Sequence, residues 1–194
     1  MNTKIKLDPS KTALLTMDVQ KGVLGVVPGA EKILPNCVKV VEAARKNQFT
    51  VLHVGIGFEP GYPEVGPRAS TFLMVKERGL FVKGSESAEI HPSLVKAGET
   101  IIYKQRYSAF SENSLNMILR AKGIENLVLF GISTSGIVLS TLRQAFDLDY
   151  KCVVIKDACL DRDEEVHRVL TEKVFTAQAT VLTAREFEEQ AAGE

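Results

Sequence analysis

Gly131-Ile132-Ser133-Thr134-Ser135-Gly136-Ile137-Val138 is the stretch on which the reading of this chain turns. It follows the apolar run 126–130 and leads into apolar residues at helical spacing over 136–148. Strand, tight turn and helix start, in that order, make half of a strand-helix-strand unit. A helix N-terminus exposes unpaired backbone N–H groups and the positive end of the helix dipole, so this turn is a ready anion site.

Outward from the turn the same alternation repeats. Strand-length apolar runs cover 11–18, 49–55, 100–104, 151–155 and 179–182, and helical spacing covers 30–47, 113–122 closed by Gly123, 164–175, and a last segment from about 185. Strands that alternate with helices require right-handed crossovers and a mainly parallel sheet covered on both faces. The predicted fold is α/β: a three-layer α/β/α sandwich with a roughly six-stranded, Rossmann-like sheet, in one domain over residues 1–194. In such sheets ligands bind beyond the carboxyl ends of the strands. Asp18, Lys104 and the turn 131–137 all fall at such ends, so three distant segments converge on one cleft. Residues 57–70 read as a loop too long for a simple connection, and long loops in compact domains are often functional.

Composition narrows the partners. Acidic and basic side chains balance at 24 each, which leaves no basic stripe for nucleic acid. No run reaches the roughly 18 to 20 apolar residues that cross a bilayer, and Met1 to Lys6 lack the apolar core of a signal peptide. The expectation is a cytoplasmic protein with no membrane partner, working on a small molecule. Cys37, Cys152 and Cys159 form no CxxC pair and read as buried packing groups, with Cys159 the nearest to the cleft. His53, His91 and His167 stand far apart without an HxH or HExxH spacing, so no metal is expected. No glycine pattern of a dinucleotide or nucleoside triphosphate site occurs, so no cofactor is expected either.

Asp18 ends an apolar strand, where a carboxylate is costly to bury unless something pairs with it, and Lys104 is the natural partner. The lysine favours the ionised carboxylate while burial opposes it, so the pair can carry a proton between them. Gln20 reads equally as an orienting or ligand-binding group and as a cap. Phe58 and Tyr62, in the long loop, are candidate apolar walls, and Arg68 is a candidate carboxylate binder. Arg106 and Phe110 belong to a short loop after Lys104 that either packs inward or walls the pocket.

Met17-Asp18-Val19-Gln20, Lys104-Gln105-Arg106-Tyr107-Ser108-Ala109-Phe110 and the turn 131–138 together resemble the isochorismatase-like hydrolases, or cysteine hydrolase superfamily. The resemblance runs from Thr12 to about Thr183, and Thr134, Val138, Thr141 and Ala145 keep its frame. It implies that Asp18, Lys104 and position 137 form a catalytic triad. It also implies an anion hole from the amides of Ser133 and Ile137 beside a cis peptide between Ile132 and Ser133, and a homo-oligomer. Position 137, where the pattern has a nucleophilic cysteine, is isoleucine, which is not itself reactive. An isoleucine forms no thioester, yet both amides of the hole remain. One branch of the superfamily works without the cysteine and cleaves a vinyl ether by acid catalysis. The expected function is therefore hydrolysis of a small carboxylated or carbonyl substrate by Asp18/Lys104 acid-base chemistry with water as nucleophile. The alternative is a catalytically inactive homologue that binds a small ligand.

Overall fold

The computed structural model describes residues 5–191. The first four residues of the N-terminal stretch read above, and residues 192–194 of the expected single domain, lie outside the described residues. Six strands form one sheet: β1 (Thr12–Met17), β2 (Thr50–Ile56), β3 (Thr100–Lys104), β4 (Asn126–Gly131), β5 (Lys151–Ile155) and β6 (Ala179–Leu182). Every adjacent pair is parallel, in the order β3-β2-β1-β4-β5-β6. The two central strands, Thr-Ala-Leu-Leu-Thr-Met and Asn-Leu-Val-Leu-Phe-Gly, are buried at every position, while the edge strands β3 and β6 are partly exposed. Burial on both faces is what makes the central strands unbroken apolar runs rather than alternating ones.

Among the described residues six α-helices lie between the strands, α1 (Lys21–Val26), α2 (Leu34–Lys46), α3 (Ser70–Glu77), α4 (Leu115–Ala121), α5 (Leu139–Asp147) and α6 (Glu164–Val169), and α7 (Ala184–Ala191) follows β6. The path steps outward from β1 to β3, then jumps back to β4 and steps outward the other way. Right-handed crossovers in opposite directions place α2 on one face and α5 on the other. The reversal lies between β1 and β4, and that is where such sheets open a crevice for a ligand.

The helical reading needs two corrections. Residues 164–175 are not one helix: α6 passes into a π-helical turn at Leu170–Val174 and a 3-10 turn at Phe175–Ala177. The segment before α5 is likewise a π-helical turn, Thr134–Val138, a local widening found often at functional sites. The main core lies between the sheet and its helices. A second, smaller core of Phe58, Tyr62, Val65, Phe72 and Phe81 sits under the loop 57–70 and α3.

Candidate active site

Asp18 follows the last residue of β1 at φ 54°, a left-handed conformation that aspartate tolerates better than most side chains. Its amide still donates to Val54 O at 2.8 Å, so the carboxylate leaves the sheet from a fixed point. Lys104 ends β3 and reaches across β2, where its Nζ lies 2.9 Å from Asp18 Oδ2. The same Nζ donates to Arg106 O at 3.0 Å. Asp18 is 8% exposed and Lys104 2%. Burial pushes the Asp18 carboxyl above its ordinary 3.8, against the opposing pull of Lys104. Asp18 Oδ1 is buried with no hydrogen-bond partner.

The turn after β4 is locked to β1. Ile132 N donates to Met17 O at 3.1 Å, and a side chain at Gly131 would put its Cβ 2.0 Å from that carbonyl oxygen, so only glycine fits there. The peptide bond between Ile132 and Ser133 is cis. Ser133 O accepts the amides of Gly136 and Val138 at 3.2 and 3.3 Å. Ile137 is 2% exposed and belongs to the main core. Thr134 is fully buried, with its Oγ1 2.8 Å from His167 Nδ1. The neighbouring Ser135 amide donates to Asp161 Oδ2 at 2.6 Å. Asp161 and His167 both hold the start of this helix, and the sequence reading did not single out either as a site residue.

The segment after Lys104 is tied to α5, since the Ala109 amide donates to Thr141 Oγ1 at 2.9 Å and Ser108 Oγ to Gln144 Oε1 at 2.6 Å. Tyr107, about half exposed, lies over Gly136 and packs on Phe72 at 5.8 Å. Arg106 stacks its guanidinium over the Phe72 ring at 5.4 Å and donates to Glu64 O at 3.1 Å. Arg106 and the exposed Arg68, with Gly66, Pro67 and Ala69, line an open cleft of about 510 Å³.

Four expected pocket residues are placed otherwise. Gln20 is fully buried and gives both amide hydrogens to main-chain carbonyls, Ile56 O at 2.8 Å and Ala88 O at 2.7 Å. Its Oε1 takes the Ile56 amide at 2.9 Å, so it is a strut with no hydrogen left for a ligand. Phe58 is fully buried in the small aromatic core, and Tyr62 packs on it at 5.5 Å with its hydroxyl donating to Leu80 O. Phe110 stacks on Tyr150 at 6.0 Å within the main core. Aromatic side chains bury large apolar areas, and here that gain comes from core packing rather than from a cleft wall.

Cys37, Cys152 and Cys159 are all buried, and burial pushes the Cys152 and Cys159 thiols up to about 12. Among the described residues no group of three His, Cys, Asp or Glu side chains is placed to hold a metal ion, and no helix is long and apolar enough to cross a membrane.

The isochorismatase domain family matches residues 12–186. The chain is 31% identical over 191 residues to the isochorismatase family protein YwoC of Bacillus subtilis, covering 98% of each. It is 32% identical over 188 residues to the ureidoacrylate amidohydrolase RutB of Acinetobacter baylyi, covering 84% of this chain and 77% of that one. Among solved structures, N-carbamoylsarcosine amidase from Thermoplasma acidophilum aligns with TM-score 0.73 at 28% identity, over 90% of this chain and 96% of its own. A cysteine hydrolase from Pseudomonas syringae aligns with TM-score 0.89 at 20% identity, over 96% and 95%, which shows the shared fold. With a family match across nearly the whole chain and relatives above 30% identity over most of it, this protein belongs to the isochorismatase family.

Proposed function

We propose that the chain is an isochorismatase-family hydrolase that acts on a small carboxylated or carbonyl substrate without a covalent thiol intermediate. Asp18 is the general acid, Lys104 its charge partner, and water the nucleophile. The observation that carries this reading is Asp18 Oδ1, buried and unpartnered, on a carboxyl whose proton affinity burial has raised. An acid so placed can hold a proton and give it to a substrate atom that takes up the empty hydrogen-bonding position. Lys104 Nζ, 2.9 Å from the other oxygen, then stabilises the carboxylate left behind.

Ile137 stands where the family pattern has its nucleophile, so water must do what a thiol otherwise does. The amides of Ser133 and Ile137 at the head of α5 are the proposed anion hole, and Arg68 and Arg106 the proposed carboxylate contacts. Thr134, held by His167, fixes the turn. Because the names of two relatives specify ureidoacrylate and N-carbamoylsarcosine, ureido acids are among the substrates to try. The reading further takes the chain as one domain acting as a homo-oligomer in the cytoplasm.

The test is turnover by purified protein across isochorismate, nicotinamide, ureido acids and small amides, with Asp18→Ala and Asp18→Asn as blanks. Turnover that falls about 10² to 10⁴-fold in both variants is expected, the range that general acid catalysis supplies. Full activity in folded Asp18 variants would overturn the assignment. No turnover by the wild type, with a small carboxylate still bound, would make the protein a ligand-binding homologue.

A further inference from the structure

The turn that carries the proposed anion hole is clamped from outside by residues 160–167, which run from beyond β5 into α6. Ile132 pairs with Leu160 in a parallel bridge, and the Thr134 amide donates to Leu160 O at 2.8 Å. The Ser135 amide donates to Asp161 Oδ2 at 2.6 Å. A tie between two side chains completes the clamp, with Thr134 Oγ1 2.8 Å from His167 Nδ1. His167 is itself anchored: its amide donates to Asp163 O at 3.0 Å, and its carbonyl accepts Thr171 Oγ1 at 2.9 Å.

Burial fixes the direction of that tie. Thr134 is fully buried, and among the described residues its hydroxyl has no hydrogen-bond partner other than His167 Nδ1. A hydroxyl that only accepted there would leave its own proton desolvated and unpaired. Thr134 therefore donates and Nδ1 accepts, which requires a neutral imidazole with its proton on Nε2. The surroundings favour that state. Burial pushes the His167 imidazole below its ordinary 6.5 against the pull of Asp161 and Glu172, and Lys156 pushes the same way as burial.

We propose that His167 is a positioning residue for the hydrolysis: by accepting the Thr134 hydroxyl, its neutral imidazole sets the turn so that the Ser133 and Ile137 amides meet one anionic oxygen of the substrate. This rests on the reading of those two amides given above. Thr134 follows Ser133 directly and precedes Ile137 by less than one helical turn, so a swing of Thr134 displaces both donors. An anion hole works only with its donors about 2.7 to 3.1 Å from the oxygen. A small swing thus weakens anion binding without unfolding the protein.

The experiment is NMR on the full-length, isotope-labelled protein, titrated with acetate at constant ionic strength. In the wild type acetate should shift the Ser133 and Ile137 amide resonances along a saturable curve. Near neutral pH the His167 ring should show a bare Nδ1 and a protonated Nε2. Thr134→Val keeps the shape without the hydroxyl, and His167→Leu removes the acceptor; each should weaken acetate at these amides at least tenfold. The double variant should be no weaker than either single one, because both remove the same hydrogen bond. His167→Asn, whose Oδ1 can accept the same hydroxyl, should recover most of the affinity lost in His167→Leu, a rescue that a packing role would not give. Unchanged affinity in the single variants, additive losses, a failed rescue or a proton on Nδ1 would overturn the proposal. Wild-type amides that ignore acetate would overturn it together with the anion hole, while Asp18-dependent turnover reports on the acid separately, so the failures are distinguishable.

Discussion

Glu99, immediately before β3, and Asp18, met by Lys104 at the end of the same strand, are both carboxylates set against a cation, but their surroundings differ in kind. Glu99 accepts Arg45 Nε at 2.8 Å and Nη2 at 2.6 Å, pairs with the fully buried His53 at 3.0 Å, and takes the Lys96 amide at 2.7 Å. Burial alone would raise its carboxyl, but these hydrogen bonds outweigh burial and hold it at about 2. His53 in turn meets Thr16 Oγ1 at 2.8 Å, which ties β1 and β2 into the same network. Asp18 has Lys104 on one oxygen and no partner on the other, and burial wins. The satisfied carboxylate thus lies at the amino-terminal edge of the sheet and the unsatisfied one at its carboxyl-terminal edge, where the proposed reaction is placed. A satisfied carboxylate has nothing left to offer a ligand, whereas an unsatisfied one stores that capacity at a cost in stability.

Three measurements would break or sharpen this contrast. The largest effect is expected from Glu99→Ala, which strands Arg45 and His53 and should cost about 2 to 3 kcal/mol in chemical denaturation. A loss under about 0.5 kcal/mol would mean that the network is decorative. Next is the dependence on acid. A carboxyl held at about 2 rather than 4.5 contributes stability that is fully present above pH 4.5 and is lost as pH falls toward 2. The raised Asp18 carboxyl has the opposite sign, since its contribution weakens as pH rises above 3.8 toward its folded value. Wild-type stability should therefore drop below pH 4.5, and Glu99→Ala should flatten that drop. An unchanged acid slope in the variant would remove Glu99 as its source. A smaller effect is expected from Asp18→Asn, which removes the charge opposite Lys104 but keeps an oxygen for its Nζ at a site where burial already opposes the ionised carboxyl, and so should cost less in chemical denaturation than Glu99→Ala. A loss as large as that of Glu99→Ala would erase the distinction and make Asp18 a structural residue.

Much of this organisation was legible in the sequence, because the period of apolar residues is a local property. The bounds of β3, β5 and β6 coincide with the runs read for them, and Gly123 closes α4 in the left-handed conformation that a helix end favours. α1 and α3 were not assigned. Both are short, and the buried Phe72 of α3 packs on the small aromatic core under the long loop rather than on the sheet. At the site, Asp18 and Lys104 were legible as charges ending apolar strands. Gln20, Phe58, Tyr62 and Phe110 were not legible as struts and core, because a glutamine spent on Ile56 and Ala88 reads the same in sequence as one offered to a ligand.

The sequence by itself determined the alternation of strands and helices, the strand ends at which Asp18, Lys104 and the 131–137 turn emerge, and the isoleucine at position 137. Only the tertiary structure decided which polar atoms are spent and which remain. The side-chain partners of Glu99 come from α2 and β2, that of Asp18 comes from β3 across an intervening strand, and Glu64 Oε2 finds none among the described residues. Periodicity is written in neighbours along the chain, whereas hydrogen-bond satisfaction depends on residues brought together from distant segments.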